Sequence, residues 1–160
     1  MITKTPGTCV VVQVADCVPV LLFDPVKKVI AAVHAGWRGT MKEIARKTVE
    51  MMKQEFDCDP QDMIGGIGPS IGPCCFEVQK NVFHLANIIY SAREAVVIKR
   101  REKTFINLWQ ANKIQLQRAG LLESNIELTE LCTACETEEF FSARKEGKTG
   151  RFVCGIALKK

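Results

Sequence analysis

Three apolar, β-branched runs stand almost end to end near the start of the chain: TCVVVQV (8–14), VPVLLFD (18–24) and VIAAVHA (29–35). Runs this rich in valine and isoleucine favour buried strands. The Asp24-Pro25 step and the two lysines that follow it make a surface turn between the second and third. Those two strands must then form an antiparallel hairpin. That pairing sets Cys17, just before one strand, against the far end of its neighbour, where His34 lies. A hairpin of this kind fixes the rest of the chain as material that has to cover it.

The next segment supplies cover. Thr40 and Glu43 have the T-x-x-E spacing of a capping box, and Met41, Ile44, Ala45, Thr48, Val49 and Met52 recur at helical spacing as far as Phe56. The start of that helix would bring backbone N–H groups beside His34 and Arg38, an environment suited to an anion. Gly36 and Gly39 serve equally as simple turn residues, with Trp37 packed between them.

Further along, DMIGGIG reads as a strand, PSIGPCCFEV as a rigid loop at its end, and QKNVFHLANII as a helix carrying the only other histidine, His84, in a structural setting. A charged stretch, AVVIKRREKTFI, contains a strand. Asn107 then caps the helix LWQANKIQLQRAG, which closes at Gly120. NIELTEL reads as a short strand and RFVCGIAL as a closing core strand. With no linker or repeat, residues 1–160 read as a single α+β domain.

The chain has 47% hydrophobic and 25% charged residues, ordinary proportions for a packed domain of 160 residues. Its net charge of +4 is interspersed with acidic side chains, densest at Lys99, Arg100, Arg101 and Lys103. That pattern suits a solvated face or a small anion better than a nucleic acid. The apolar segment 8–23 is interrupted by Gln13, Asp16 and Pro19, which argues against a membrane span. The N-terminal MITKTPG has no apolar signal region, and the expected location is the cytoplasm.

Eight cysteines without a secretion signal read as reduced thiols, with Cys9, Cys58 and Cys154 as small buried hydrophobes. Cys132 and Cys135 form a C-x-x-C, but a structural zinc site wants a second pair at comparable spacing. Cys74 and Cys75 are adjacent instead, and a thioredoxin-like redox motif wants a βαβ start that is absent, so two thiols near a bend rank ahead of zinc or redox chemistry. Cys17 and His34 have two chemical readings. They can form a nucleophile with its activating base, or they can both bind zinc or copper. Asp16 then serves as a third ligand, as a partner holding a ligand, or as a proton carrier.

The blocks ADCVPVLLFD, HAGWRGT, GPSIGPCCFEV, NLWQANKIQL and CTACETEEFFSARKEGKTGR, in this order, resemble the YfiH-like family, also called multicopper polyphenol oxidase or laccase-domain proteins. The resemblance implies an α+β fold with mixed β-sheets sandwiched between helices, grouped with CNF-like cysteine-dependent toxin domains. It implies a metal site whose cysteine is Cys17 and whose histidine is His34. It also implies phosphorolysis of adenosine, inosine or methylthioadenosine, and deamination of adenosine, with zinc, or alternatively copper, as cofactor. Copper oxidase chemistry ranks lower, because a multicopper centre needs many histidines and the chain has two. Members of the family carry a further segment upstream with a Q-V-H-type motif that supplies a third ligand. The chain therefore reads as N-terminally truncated relative to the family, either a fragment or a short form, and dimerisation is a way to cover an exposed sheet edge.

With purine nucleosides and phosphate as substrates, Cys17, His34 and Asp16 are the expected catalytic residues. Arg38, Arg144 and Arg151 are candidates for holding anionic groups, and Phe141 for stacking on a base. The two readings that compete with this one are a metal-free Cys–His hydrolase and a noncatalytic short form.

Overall fold

The computed structural model describes residues 1–160. Along the chain run β1 (Ile2–Thr3), β2 (Cys9–Val14), β3 (Val18–Asp24), β4 (Val29–Ala35), α1 (Trp37–Met41), α2 (Ile44–Phe56), β5 (Ile64–Ile67), α3 (Lys80–Ile89), β6 (Val97–Arg100), β7 (Lys103–Ile106), α4 (Leu108–Arg118), β8 (Ile126–Leu128), α5 (Ala143–Glu146) and β9 (Phe152–Ala157). The central sheet has the order β1-β4-β3-β5-β8; all its pairs are antiparallel except β5 with β8, so the sheet is mixed. The class is α+β, as the sequence implies.

The hairpin strands β3 and β4 are unbroken apolar runs because both of their faces are covered. Val18, Val20, Leu22, Val29, Ala31 and Val33 pack with Ala45, Val49 and Met52 of α2 and Ile114 and Leu116 of α4. On the opposite face Ile30 and Ala32 meet Val10, Val12 and Val14 of β2, which forms an antiparallel ribbon with β9. Within these residues, then, helices cover one face of the sheet and a ribbon covers the other. The hairpin turn is held by Asp24, whose Oδ1 accepts from the backbone N–H groups of Val26 and Lys27, both at 2.8 Å.

The helix after the hairpin differs from the expected one. It begins a turn earlier, at Trp37, and breaks at Glu43, which adopts a left-handed conformation (φ 56°) before α2 starts. No capping box forms. Thr40 is fully buried, donating from Oγ1 to Ala35 O (3.2 Å) and accepting from Asn112 Nδ2 (3.1 Å). Gln115 Nε2 donates to Thr40 O (2.7 Å) and to Tyr90 Oη (2.6 Å), while Glu43 pairs with Arg46 at 2.9 Å. Two polar side chains of α4 buried against α1 need partners, and Thr40 is the one they share.

Asn107 does cap α4, accepting from Gln110 N–H at 3.0 Å, and the helix ends just ahead of Gly120 (φ 108°). The charged stretch holds two strands, β6 and β7, paired as a hairpin. RFVCGIAL contains β9, which is exposed on its outer face and half-buried on its inner one rather than a core strand. Among the cysteines taken as buried, only Cys58 is; Cys9 is exposed and Cys154 half-buried, because both lie on the two-stranded ribbon.

Candidate functional site

Four strand ends meet at one edge of the sheet. β3 begins there while β4, β5 and β8 end, as the registers Val18↔Ala35, Val20↔Ile67 and Ile67↔Leu128 require. Loops leaving strand ends at such an edge are where functional groups collect.

Cys17 and His34 come together at this edge as the hairpin predicts, with His34 opposite Pro19. Their donor atoms border one point. A Cβ placed on Gly36 would stand 2.9 Å from Cys17 Sγ and 3.8 Å from His34 Nε2. Gly36 has an ordinary φ of −63°, so glycine is needed there for space rather than for backbone freedom. A thiol and an imidazole nitrogen facing the same small space are a donor set suited to zinc or copper. No third His, Cys, Asp or Glu ligand atom joins them within the chain. Burial, reinforced by the Asp16 carboxylate, pushes the Cys17 thiol up from its ordinary pKa, against an opposing pull from the Arg151 charge.

Asp16 holds the site's walls together. With φ 83°, it presents Oδ1 to the hydroxyls of Thr133 and Ser142, each donating at 2.8 Å, and Oδ2 to the backbone N–H of Arg144 at 2.6 Å. Its carbonyl accepts from Ile71 N–H at 2.9 Å. These bonds run to the surrounding loops rather than to Cys17 or His34. Thr133 and Ser142, both fully buried, were not singled out by spacing, since their bonds to Asp16 span 117 and 126 residues.

A cavity of about 190 Å³ opens beside Cys17, lined also by Trp37, Ile71, Phe76, Leu108 and Arg144. It is smaller than the roughly 300 Å³ at which small-molecule pockets begin. Arg144 Nη1 donates to the carbonyls of Cys75 (3.2 Å) and Glu77 (3.1 Å), and its guanidinium lies 5.2 Å from the Phe76 ring. Arg151 Nη1 donates to Thr149 O (3.1 Å) and Gly150 O (2.7 Å), and its charge is felt at Cys17. The ring of Phe141 lies flat against Gly150, where a Cβ would approach it to 2.8 Å, and remains 45% exposed. Arg38 is exposed and stacks on Trp37 at 4.3 Å; the single-turn helix it occupies offers little dipole. A larger groove of about 710 Å³ lies between α3 and the β6–β7 hairpin, lined mainly by charged side chains such as Lys99, Arg101 and Lys103. It contains no cysteine and so no counterpart of the Cys17–His34 pair.

Cys132 and Cys135 are free thiols at a tight turn, as their spacing suggests, but they do not stand alone. The sulfurs of Cys74, Cys75, Cys132 and Cys135 all lie within 4.8 Å of one another. Adjacent cysteines in one loop and a C-x-x-C in another can form one cluster, because the fold brings the loops together across some sixty residues.

The description "Multi-copper polyphenol oxidoreductase laccase" belongs to the family whose model matches residues 1–159. A purine nucleoside phosphorylase of Bacteroides thetaiotaomicron is 40% identical, over all of this chain and 60% of its own length. An adenosine deaminase, RL5, from an unknown prokaryotic organism is 36% identical over 99% of the chain and 62% of its own length. The crystal structure of Bacillus licheniformis YfiH, described as a hypothetical protein, superposes with a TM-score of 0.93 at 36% identity, over 99% of this chain and 60% of that one. The chain thus spans about 60% of the length of the relatives it matches. No helix is long and apolar enough to cross a membrane.

Proposed function

We propose that this chain, which belongs to the multi-copper polyphenol oxidoreductase laccase family, supplies Cys17 and His34 to a metal site that processes purine nucleosides. The reactions are phosphorolysis of adenosine, inosine or methylthioadenosine, and deamination of adenosine. The observation that carries this reading is the convergence of Cys17 Sγ and His34 Nε2 on the space above Gly36. The activities for which the two similar enzymes are named support the substrate class.

Zinc, or alternatively copper, held by these donors supplies Lewis-acid activation of water and of polar substrate atoms. The residues of the chain do the positioning. In phosphorolysis a phosphate oxygen bonds to the ribose C1′ while the bond from C1′ to the base breaks, and the departing purine takes up a proton. Arg151, with Arg144 beside the cavity, holds the phosphate charge during that transfer. In deamination water adds at C6 and ammonia leaves, giving inosine. The exposed ring of Phe141 offers a stacking face for the purine. Asp16 keeps Thr133, Ser142 and the Arg144 backbone in place around Cys17.

A metal-free cysteine nucleophile built on the same pair predicts turnover that survives a chelator, whereas the metal site predicts its loss. The test is incubation of the chain with zinc, adenosine and phosphate beside a Cys17→Ala control, with products identified by liquid chromatography and mass spectrometry. Inosine, or adenine with ribose phosphate, is expected from the parent chain alone. Equal product from the control, or none from a folded, metal-loaded chain, refutes the assignment.

A further inference from the structure

The parallel pairing of β5 with β8 has a consequence beyond the sheet. Parallel neighbours end on the same side, so the loops that follow them leave together. Those loops stay in contact: Ser70 N–H donates to Leu131 O (3.2 Å), Thr133 N–H to Ser70 O (3.1 Å), and Ser70 bridges Cys132 in parallel fashion. One loop then presents Cys74 and Cys75, and the other turns tightly over Cys132–Cys135, with Cys135 N–H donating to Cys132 O at 3.0 Å.

The four sulfurs are close enough together to share one ion. Cys135 Sγ lies 3.6 Å from Cys74 Sγ and 3.5 Å from Cys75 Sγ, and every pair in the cluster is within 4.8 Å. A tetrahedral ion with metal–sulfur bonds of about 2.3 Å sets its sulfurs about 3.8 Å apart. A disulfide needs about 2.05 Å, and all four cysteines are free. Gly72 N–H also donates to Cys132 Sγ at 3.2 Å, a bond that steadies a thiolate ligand.

We propose that Cys74, Cys75, Cys132 and Cys135 bind a single zinc ion in a structural site separate from Cys17 and His34. Four thiolates are soft donors that select zinc over hard cations, and they leave no coordination position for a substrate. On binding, thiol protons pass to solvent and four sulfur–zinc bonds form; no electron is transferred and no other reactant is needed.

The ion ties the loop after β5 to the loop after β8. The loop after β5 lines the Cys17 cavity through Ile71 and Phe76, and the loop after β8 reaches its wall through Thr133. Ile71 N–H and the Thr133 hydroxyl bond to Asp16, and the Cys75 carbonyl receives Arg144. Metal at the cysteine cluster is therefore linked to the shape of the other site without taking part in its chemistry.

The test uses the Cys17→Ser chain, so that the other site contributes no thiolate. Purified under reducing conditions, it should retain one zinc per chain by elemental analysis. Zinc-edge X-ray absorption should report sulfur neighbours alone, at about 2.3 Å. Titration of the demetallated chain with cobalt(II) should give intense thiolate-to-metal charge-transfer absorption. Adding Cys74→Ser and Cys135→Ser, both at exposed positions, should remove the zinc and the absorption while circular dichroism stays that of a folded chain. A folded Cys17→Ser chain that holds no zinc, a shell containing nitrogen or oxygen, or a mass showing a Cys74–Cys135 disulfide overturns the proposal. So does absorption that survives the added substitutions. None of these results is read from nucleoside turnover, so the failure of one reading is distinguishable from the failure of the other.

Discussion

Replacing Gly36 with alanine adds one methyl group at the point where Cys17 and His34 meet. Its carbon would lie 2.9 Å from Cys17 Sγ and 3.8 Å from His34 Nε2. Comfortable contacts between heavy atoms begin at about 3.5 Å, so the sulfur must retreat by at least about 0.6 Å while the imidazole can stay. The backbone at Gly36 is extended (φ −63°, ψ 167°) and suits alanine, so the penalty is steric and local. Overpacking of this kind costs about 1–3 kcal/mol, and the restricted unfolded chain offsets about 0.4–1 kcal/mol of it. A net loss of up to about 2.6 kcal/mol follows, equivalent to a fall in Tm of up to about 10 °C for a domain of this size. The functional effect should be larger than the thermal one. A thiol turned away from His34 cannot share a metal with it, and zinc affinity at this pair and nucleoside turnover should both be lost. The decisive assay is a double-mutant cycle by urea unfolding. Cys17→Ala removes the obstructing sulfur, so Gly36→Ala should cost at least about 1 kcal/mol less in that background than in the parent. Equal costs in both backgrounds, or a Gly36→Ala chain with parental stability and zinc affinity, refute the geometry on which the site rests.

Alkylation of Cys17 by iodoacetamide in the metal-free chain follows its thiolate, which burial and then Asp16 disfavour. The rate should therefore rise only above the ordinary thiol range, and Arg151→Ala should move that rise higher still; mass spectrometry of the labelled peptide across pH checks both. Asp16→Ala strands three donors and forces alanine to φ 83°, which should cost about 2–4 kcal/mol in urea unfolding. Thr40→Val removes the hydroxyl between Ala35 and Asn112 and should cost about 1–3 kcal/mol, whereas Glu43→Gln should change stability by no more than about 0.5 kcal/mol. A capping box would make the two comparable.

The hairpin shows how far local sequence reaches. Asp24 and Pro25 mark its turn, the apolar runs mark its buried strands, and antiparallel pairing then brings Cys17 to His34 with no further information. The Asn107 cap is equally local, since donor and acceptor lie within one helical turn. Thr40 and Glu43 mark the limit of that logic. Their spacing fits a capping box, yet Asn112 and Gln115, some seventy residues away, need buried partners and take Thr40 instead.

Composition and pattern alone therefore determined the α+β class, the central hairpin and the Cys17–His34 pair, because each depends on periodicity, turn chemistry or the register of adjacent strands. The partners of Asp16 and the clustering of Cys74 and Cys75 with Cys132 and Cys135 were decided by the tertiary structure. Both depend on where loops from distant strands emerge, and that is set by the parallel register of β5 and β8. The pairing joins segments sixty residues apart, and closing so long a loop is decided by the packing of the whole sheet rather than by any signal within either segment.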